Sequence, residues 1–415
     1  MDKRLTLLIP VTFGMAFFLG VENGGFQLVL LKIAEEFVLD PVKMGGVVTS
    51  QFCAILLGPL LFGWISDRIG KKTVLIFGMI FFIAGCFGAA ISKSALIFTC
   101  TAFFLGLGFS VCECTASTLL TDSFPGKEST YLNIMQSGFS LGAVLSPLIF
   151  SRLIWAGLVT WHAVFISAGA GFIIIFPLLM LSRSSVPLPE NEDAKKKVMP
   201  SGIKGIKPCF DIARSVMAEQ VQSQPSLRSS IKTEIFSPFF IILLLAIMVN
   251  VAIEAGIGFF ADTLFVTEYG NAQLGAYAIS GFWFSMAVSR FVFSWIKIKP
   301  LNMVTAGFLS ICVLLLFSLP LGNPNILLAV FFLLGFASGP IWPMIIGIGA
   351  SLNQKRSGTN TSILYASGGL GGIIMPVLIG LVAERHGFYR SFWLLAVFSA
   401  AGFLIMRFGA RRRIT

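Results

Sequence analysis

Four ionisable side chains stand in the middle of long apolar runs: Glu22, Glu113, Glu254 and Arg290. At the centre of a bilayer such a group costs roughly 2.5–3.5 kcal/mol even on lenient insertion scales, so it is kept for a reason. Burial and a neighbouring cation push a carboxyl's hold on a proton in opposite directions. An acid so placed can be tuned to bind and release a proton near neutral pH, which is what a proton-coupling site requires. The bland alternative for each glutamate is a structural hydrogen bond or a pair with Arg290. For Arg290 the choices are an anionic substrate, a carboxylate partner, or a guanidinium reaching back to the membrane surface. Polar and aromatic residues that could complete a solute site lie nearby in sequence or within the same runs: Asn23, Gln27, Gln136, Asn250, Trp283, Trp342 and Tyr365. A mid-span Trp can stack on a sugar or another flat ligand, or simply pack between helices.

Something apolar must hold these groups. The chain has 415 residues, of which 56% are hydrophobic and only 12% charged. A soluble domain carries roughly 25% charged residues, so most of this surface faces something other than water. Runs near the ~20 residues needed to cross hydrocarbon as a helix recur along the whole length. They are too long and too little alternated for barrel strands. Twelve spans are expected, at about 5–33, 44–66, 73–92, 96–121, 132–154, 163–182, 236–262, 272–296, 302–319, 326–349, 359–382 and 390–407. The first is read as a span and not a removable signal, because it continues past Leu31 without a cleavage site.

An even number of spans puts both termini on one side. On that side fall 23 of the 30 Lys and Arg residues, the asymmetry expected of cytoplasmic segments. The +11 net charge then needs no nucleic acid to explain it. A multi-pass protein of the cell (inner) membrane with cytoplasmic termini follows as the expectation.

The spans divide six and six around a hydrophilic segment, giving an expected first bundle at 1–182, a linker at 183–235 and a second bundle at 236–415. Within the linker, 209–222 has the spacing of an amphipathic interfacial helix or an ordinary linker helix. The halves repeat each other. "GVEN" around Glu22 matches "AIEA" around Glu254, "FGWI" at 62–65 matches "FSWI" at 293–296, and "SLGAVLSPLI" at 140–149 matches "GLGGIIMPVL" at 369–378. Parallel repeats of this kind put a solute pathway between the halves.

Between spans 2 and 3 the segment "GWISDRIGKK" carries Gly63, Asp67, Arg68, Gly70, Lys71 and Lys72. Gly63 allows two helices to approach closely. Asp67 can sit against the positive N-terminus of a helix from the other half, and the basic residues can anchor the loop or partner Asp67. The second copy, "SWIKIKP", has Ile298 where the acid would be.

Two six-helix repeats, a central loop and G-x-x-x-D-R-x-G-K-K after span 2 resemble the major facilitator superfamily over essentially the whole chain. That resemblance implies an all-α fold of twelve transmembrane helices working by alternating access, with spans 1, 4, 7 and 10 around a central cavity. It also implies that Gly63, Asp67, Arg68, Gly70 and Lys71 form a conformational gate against the start of span 11, near Gly358 and Thr359. Within the superfamily, "GFSVCECTASTLL", "SGFWFSMAVSRFVFSW", "GFASGPIWPMIIGIGA" and "GGLGGIIMPVLIGLVAERHG" look like spans 4, 8, 10 and 11 of the fucose permease-like sugar/proton symporters. The resemblance assigns proton coupling to Glu113. In the first span, "VENGGFQ" has Gln27 where that branch has its coupling acid, with Glu22 earlier. Proton-coupled uptake of a small polar solute such as a sugar is therefore expected, with drug or metabolite efflux, or movement of an organic anion or a lipid, as rivals. No enzymatic activity, cofactor, metal site or nucleic-acid partner is expected. The partners are a small solute, protons and the bilayer, and a monomer suffices.

Overall fold

With no water available to backbone amides, runs this apolar must bond internally, and they do so as helices. The structure is a computed structural model and describes residues 7–124, 128–182, 237–296, 298–352 and 357–409. Twelve helices among the described residues are long and apolar enough to cross a membrane. Spans 1 to 6 are Leu8–Glu36, Pro41–Ile69, Lys71–Ala90, Ala95–Ser123, Glu128–Trp155 and His162–Leu181. Spans 7 to 9 are Pro238–Tyr269, Ala272–Trp295 and Pro300–Ser318. Span 10 is built from Pro324–Ser338 and Ile341–Leu352, span 11 is Ser357–His386, and span 12 follows through Phe388–Ser391 and Trp393–Gly409. The expected linker, with its amphipathic segment at 209–222, lies outside the described residues.

Local chemistry sets several boundaries. Asp40 caps span 2, its side chain accepting from Lys43 N at 2.7 Å, with Pro41 in the first turn. The hydrogen bond from Lys43 also holds the exposed Asp40 carboxyl below its ordinary pKa. Spans 2 and 3 meet at Gly70, whose φ of 90° is a conformation that a side chain would strain. Span 7 runs to Tyr269 and stops at the left-handed Gly270. It thus extends seven residues beyond the end expected at 262, because polar Asp262 and Thr263 are followed by the apolar "LFV".

Span 10 breaks between Ser338 and Ile341 for a reason visible in "SGPIWP". Pro343 has no N–H to give the carbonyl of Gly339, and Pro340 has none to give the turn before it.

The first six helices pack together, as do the last six: span 1 lies against span 5 and span 3 against span 4, while span 7 lies against span 11 and span 8 against span 10. The repeat read from sequence recurs in the contacts. Gly142 of span 5 lies against the carbonyl of Phe17 in span 1, and Gly371 of span 11 lies against that of Met248 in span 7. A side chain at either glycine would collide with backbone. Glu36 accepts from Trp161 Nε1 at the start of span 6, and Glu268 accepts from Tyr389 N at 3.2 Å at the start of span 12.

We call the end of the bundle that carries the termini the near side and the other the far side. The two halves are stitched together on the far-side part of the bundle. Thr49 Oγ1 donates to Ile373 O at 3.1 Å, Ser280 Oγ to Val144 O at 3.0 Å, and Trp283 Nε1 to Gln27 Oε1 at 2.9 Å. Phe26 and Phe52 of the first half pack edge-on to Phe259 of the second, and Phe139 to Trp283.

Candidate functional site

Two separate carboxylate sites emerge. The first lies between the halves. Glu113 of span 4 is half-buried, and its Oε1 accepts from Gln136 Nε2 of span 5 at 3.3 Å. Glu254 of span 7 is also half-buried, and its Oε1 accepts from Asn250 Nδ2, one turn earlier, at 2.9 Å. Asn250 is fully buried, with its Oδ1 left without a partner among the described residues. Both glutamates lie within electrostatic range of Arg290 of span 8, and Tyr365 of span 11 lies in range of Glu113 and Arg290. Among the described residues neither carboxylate comes within salt-bridge distance of the guanidinium: the ion pairs there are Lys43–Asp40 and Lys71–Asp122. One cation thus sits in the field of two acids from opposite halves.

Arg290 has a structural task as well. Its Nε donates to Gly339 O at 3.1 Å, the carbonyl that Pro343 cannot serve. The arginine therefore closes the break in span 10, and only its terminal nitrogens remain to face the acids or a solute. Beside the break Trp342 lies over Gly368, whose missing side chain leaves room for the indole, and packs edge-on against Tyr365 at 4.9 Å. Gln136, Asn250, Arg290, Trp342 and Tyr365 are thus gathered with Glu113 and Glu254.

Glu22 is elsewhere. It is fully buried, its Oε1 accepts from Gln51 Nε2 of span 2 at 3.0 Å, and its Oε2 has no partner among the described residues. Its other electrostatic neighbour is the buried Cys86 of span 3. Both neighbours belong to its own half, so the structure separates Glu22 from the Arg290 cluster. Half-buried Asn23 stays beside it on span 1. Gln27 and Trp283, expected to bind solute, are bonded to each other across the halves, with Gln27 lying against Gly258 of span 7. They form part of the far-side seal.

Of the expected gate, Gly63, Asp67 and Arg68 lie on the last turns of span 2, and their side chains fall outside the described ones, as do those of Gly358 and Thr359. Lys71 is paired with Asp122 at the end of span 4, and Lys72 Nζ donates to Met180 O at 3.0 Å and Ser182 O at 2.6 Å at the end of span 6. Both lysines therefore clamp helix ends within the first half, where a cation meets the negative end of the helix dipole. Sequence reading missed Gln51, Asp122 and Asp262. Only Asp262 carried a signal, an acid next to the apolar run of span 7.

A family model described as Major Facilitator Superfamily matches residues 12–352 and 243–414. Among curated proteins, the chain is similar to "Protein TsgA homolog" of Erwinia tasmaniensis, 23% identical over 88% of this chain and 84% of that one. The TsgA homolog of Yersinia pestis (strain Pestoides F) is 22% identical over 94% and 90%. Among solved structures, the fold is similar to an inward-facing bacterial homolog of the human lysosomal transporter Spinster. That match has a TM-score of 0.72 and 14% identity, covering 99% of this chain and 98% of that one. A mutant of the peptide transporter POT in complex with sulfate matches at TM-score 0.72 and 17% identity, over 97% and 93%.

Proposed function

We propose, from the premise that this chain belongs to the Major Facilitator Superfamily of transporters, that it couples proton movement to the uptake of a small polar organic solute, a sugar being the class favoured. The observation that carries this reading is the cluster in which Arg290 faces Glu113 from one half and Glu254 from the other. A cation of one half in the field of an acid of the other feels every change in their separation. When the halves rock, Glu113 moves relative to the guanidinium, which Glu254 accompanies in the same half, and the hold of Glu113 on a proton changes with that distance. The cluster thus converts rocking into proton uptake and release.

The sugar assignment rests on the fucose permease-like sequence of spans 4, 8, 10 and 11 and on what surrounds the acids. Gln136 and Asn250 offer amide donors and acceptors for hydroxyl groups, and Trp342 with Tyr365 offers apolar ring surface beside them. An anionic solute is less well supported, because Arg290 spends its Nε on Gly339 and already faces two acids. The termini are assigned to the cytoplasm on the distribution of Lys and Arg. Glu22 enters as a further proton site only if its enclosed position gains access to water.

One proton moving down 100 mV supplies about 2.3 kcal/mol, enough for roughly 50-fold accumulation of a neutral solute at 1:1 stoichiometry. The test is a panel of hexoses, deoxyhexoses, amino sugars, organic anions and lipophilic cations, scored by thermal shift on the purified protein. A true ligand raises the melting temperature with concentration. A sugar hit followed by gradient-driven uptake in vesicles supports the reading. A hit confined to anions or to lipophilic cations overturns the sugar assignment.

A further inference from the structure

Asp262 is the one acid on span 7 that the Arg290 cluster does not use and that is buried. It lies eight positions beyond Glu254, about 12 Å further toward the far side at the helical rise. Its side chain is 5% exposed, and among the described residues its Oδ1 has no hydrogen-bond partner. Span 8 makes room for it: at Gly275 a side chain would run into the Asp262 carboxyl. Among the described residues, the charged groups within electrostatic range both come from span 1, in the other half, and are the exposed Lys32 and Glu35. Among the other titratable residues near this end of span 7, Glu268 is held by Tyr389 N, and span 8 presents Gly275 without a charge. The carboxyl is therefore walled in where spans 7 and 8 meet span 1, in the part of the bundle that seals the far side.

A carboxylate shut away with an unpaired oxygen and no ion partner is strongly disfavoured; a neutral acid is tolerated far better. When the halves part on the far side, water reaches the same group and solvates its ionised form. The charge state and the closure of this wall are then two readings of one equilibrium.

We propose that Asp262 is a second proton-binding residue of the transporter, taking a proton from far-side water and closing the far side only when neutral. The step balances simply: an O–H bond forms on the carboxylate as hydronium gives up its proton, and it breaks to water when the wall reopens. The proposal rests on the proton-coupled reading above and adds to it a residue outside the Arg290 cluster, so that far-side acidity itself favours the closed wall seen in this structure.

The test uses the full-length protein in lipid nanodiscs, with spin labels on Lys93 and Gln273, exposed far-side positions in the two halves. In the parent protein the label distance shortens as pH falls. Asp262→Asn stays at the short distance across the range. A variant carrying Glu113→Gln and Glu254→Gln keeps the shift. An unchanged pH response in Asp262→Asn overturns the proposal, as does loss of the response when only Glu113 and Glu254 are altered. If solute uptake proves independent of the pH gradient while the Asp262-dependent shift persists, the transport reading falls and the far-side proton site stands.

Discussion

Glu22 and Glu254 occupy matching places in the two sequence repeats, yet they live in different surroundings. Glu22 is sealed inside the first half, bonded to Gln51 of a neighbouring helix and beside Cys86. Glu254 is half-buried, bonded to Asn250 of its own helix, and shares the field of Arg290 with Glu113. The repeat dictates where along a helix an acid falls. The residues facing it decide whether it can exchange a proton. Span 2 places a glutamine opposite Glu22, whereas Arg290 of span 8 brings a cation within range of Glu254. A cation in the field of two half-buried carboxylates suits the proton exchange proposed above; a neutral amide bonded to a buried one suits holding helices together.

The largest effect that separates the two sites is expected from Glu113→Gln. Gradient-driven accumulation should fall from roughly 50-fold at 100 mV to about unity, with exchange of solute retained, as measured by uptake and counterflow in proteoliposomes. Glu254→Gln should behave alike. Should Glu22→Gln abolish accumulation while Glu113→Gln spares it, the comparison is inverted.

Next in size is Arg290→Gln. It removes the donor to Gly339 and leaves two acids without their shared cation, so both transport and stability should suffer, with about 1.5–3 kcal/mol lost from the hydrogen bond to a charged group. A melting curve together with vesicle uptake reports both. Arg290→Lys, which keeps the charge without the guanidinium fork, should restore part of the coupling and little of the stability.

Glu22→Leu sharpens the contrast from the other side. It strands the buried amide of Gln51 and should cost about 1–3 kcal/mol of stability, while Glu22→Gln keeps the acceptor and should cost little. Accumulation by Glu22→Gln should stay within about twofold of the parent, since a change under ~0.4 kcal/mol is all that is expected from a site outside the pathway. Asp40 gives the floor of the scale. Its carboxyl is exposed and held below its ordinary pKa by Lys43, so its contribution is present above about pH 3.9 and fades as pH falls through the folded value. Asp40→Asn should lower the melting temperature by roughly one degree or less at pH 7, and the difference should shrink as pH falls through the folded value.

The helices were the most legible part of the sequence, because hydrocarbon leaves the backbone one solution and apolar length counts the spans directly. The repeat was legible too, as Glu36 with Trp161 and Glu268 with Tyr389 bear out in the contacts. The acids Glu113 and Glu254 announced themselves as charges in apolar runs, but nothing in a single sequence distinguishes them from Glu22, since the difference lies in which neighbours the packing supplies. Gln51 was invisible for the same reason: an isolated glutamine carries no signal until its partner is known. Asp262 was overlooked because hydropathy ended span 7 at that residue, whereas packing carries the helix on to Tyr269. The break in span 10 could have been read from Pro340 and Pro343; that Arg290 repairs it could not, because that bond joins two helices.

The most direct measurement is accumulation of the solute identified in the ligand screen, in proteoliposomes with an imposed pH gradient, comparing the parent with Glu113→Gln and Glu22→Gln under one set of conditions. The account requires that Glu113→Gln lose accumulation while still exchanging solute, and that Glu22→Gln keep both. Accumulation that survives in Glu113→Gln, or disappears in Glu22→Gln alone, contradicts it.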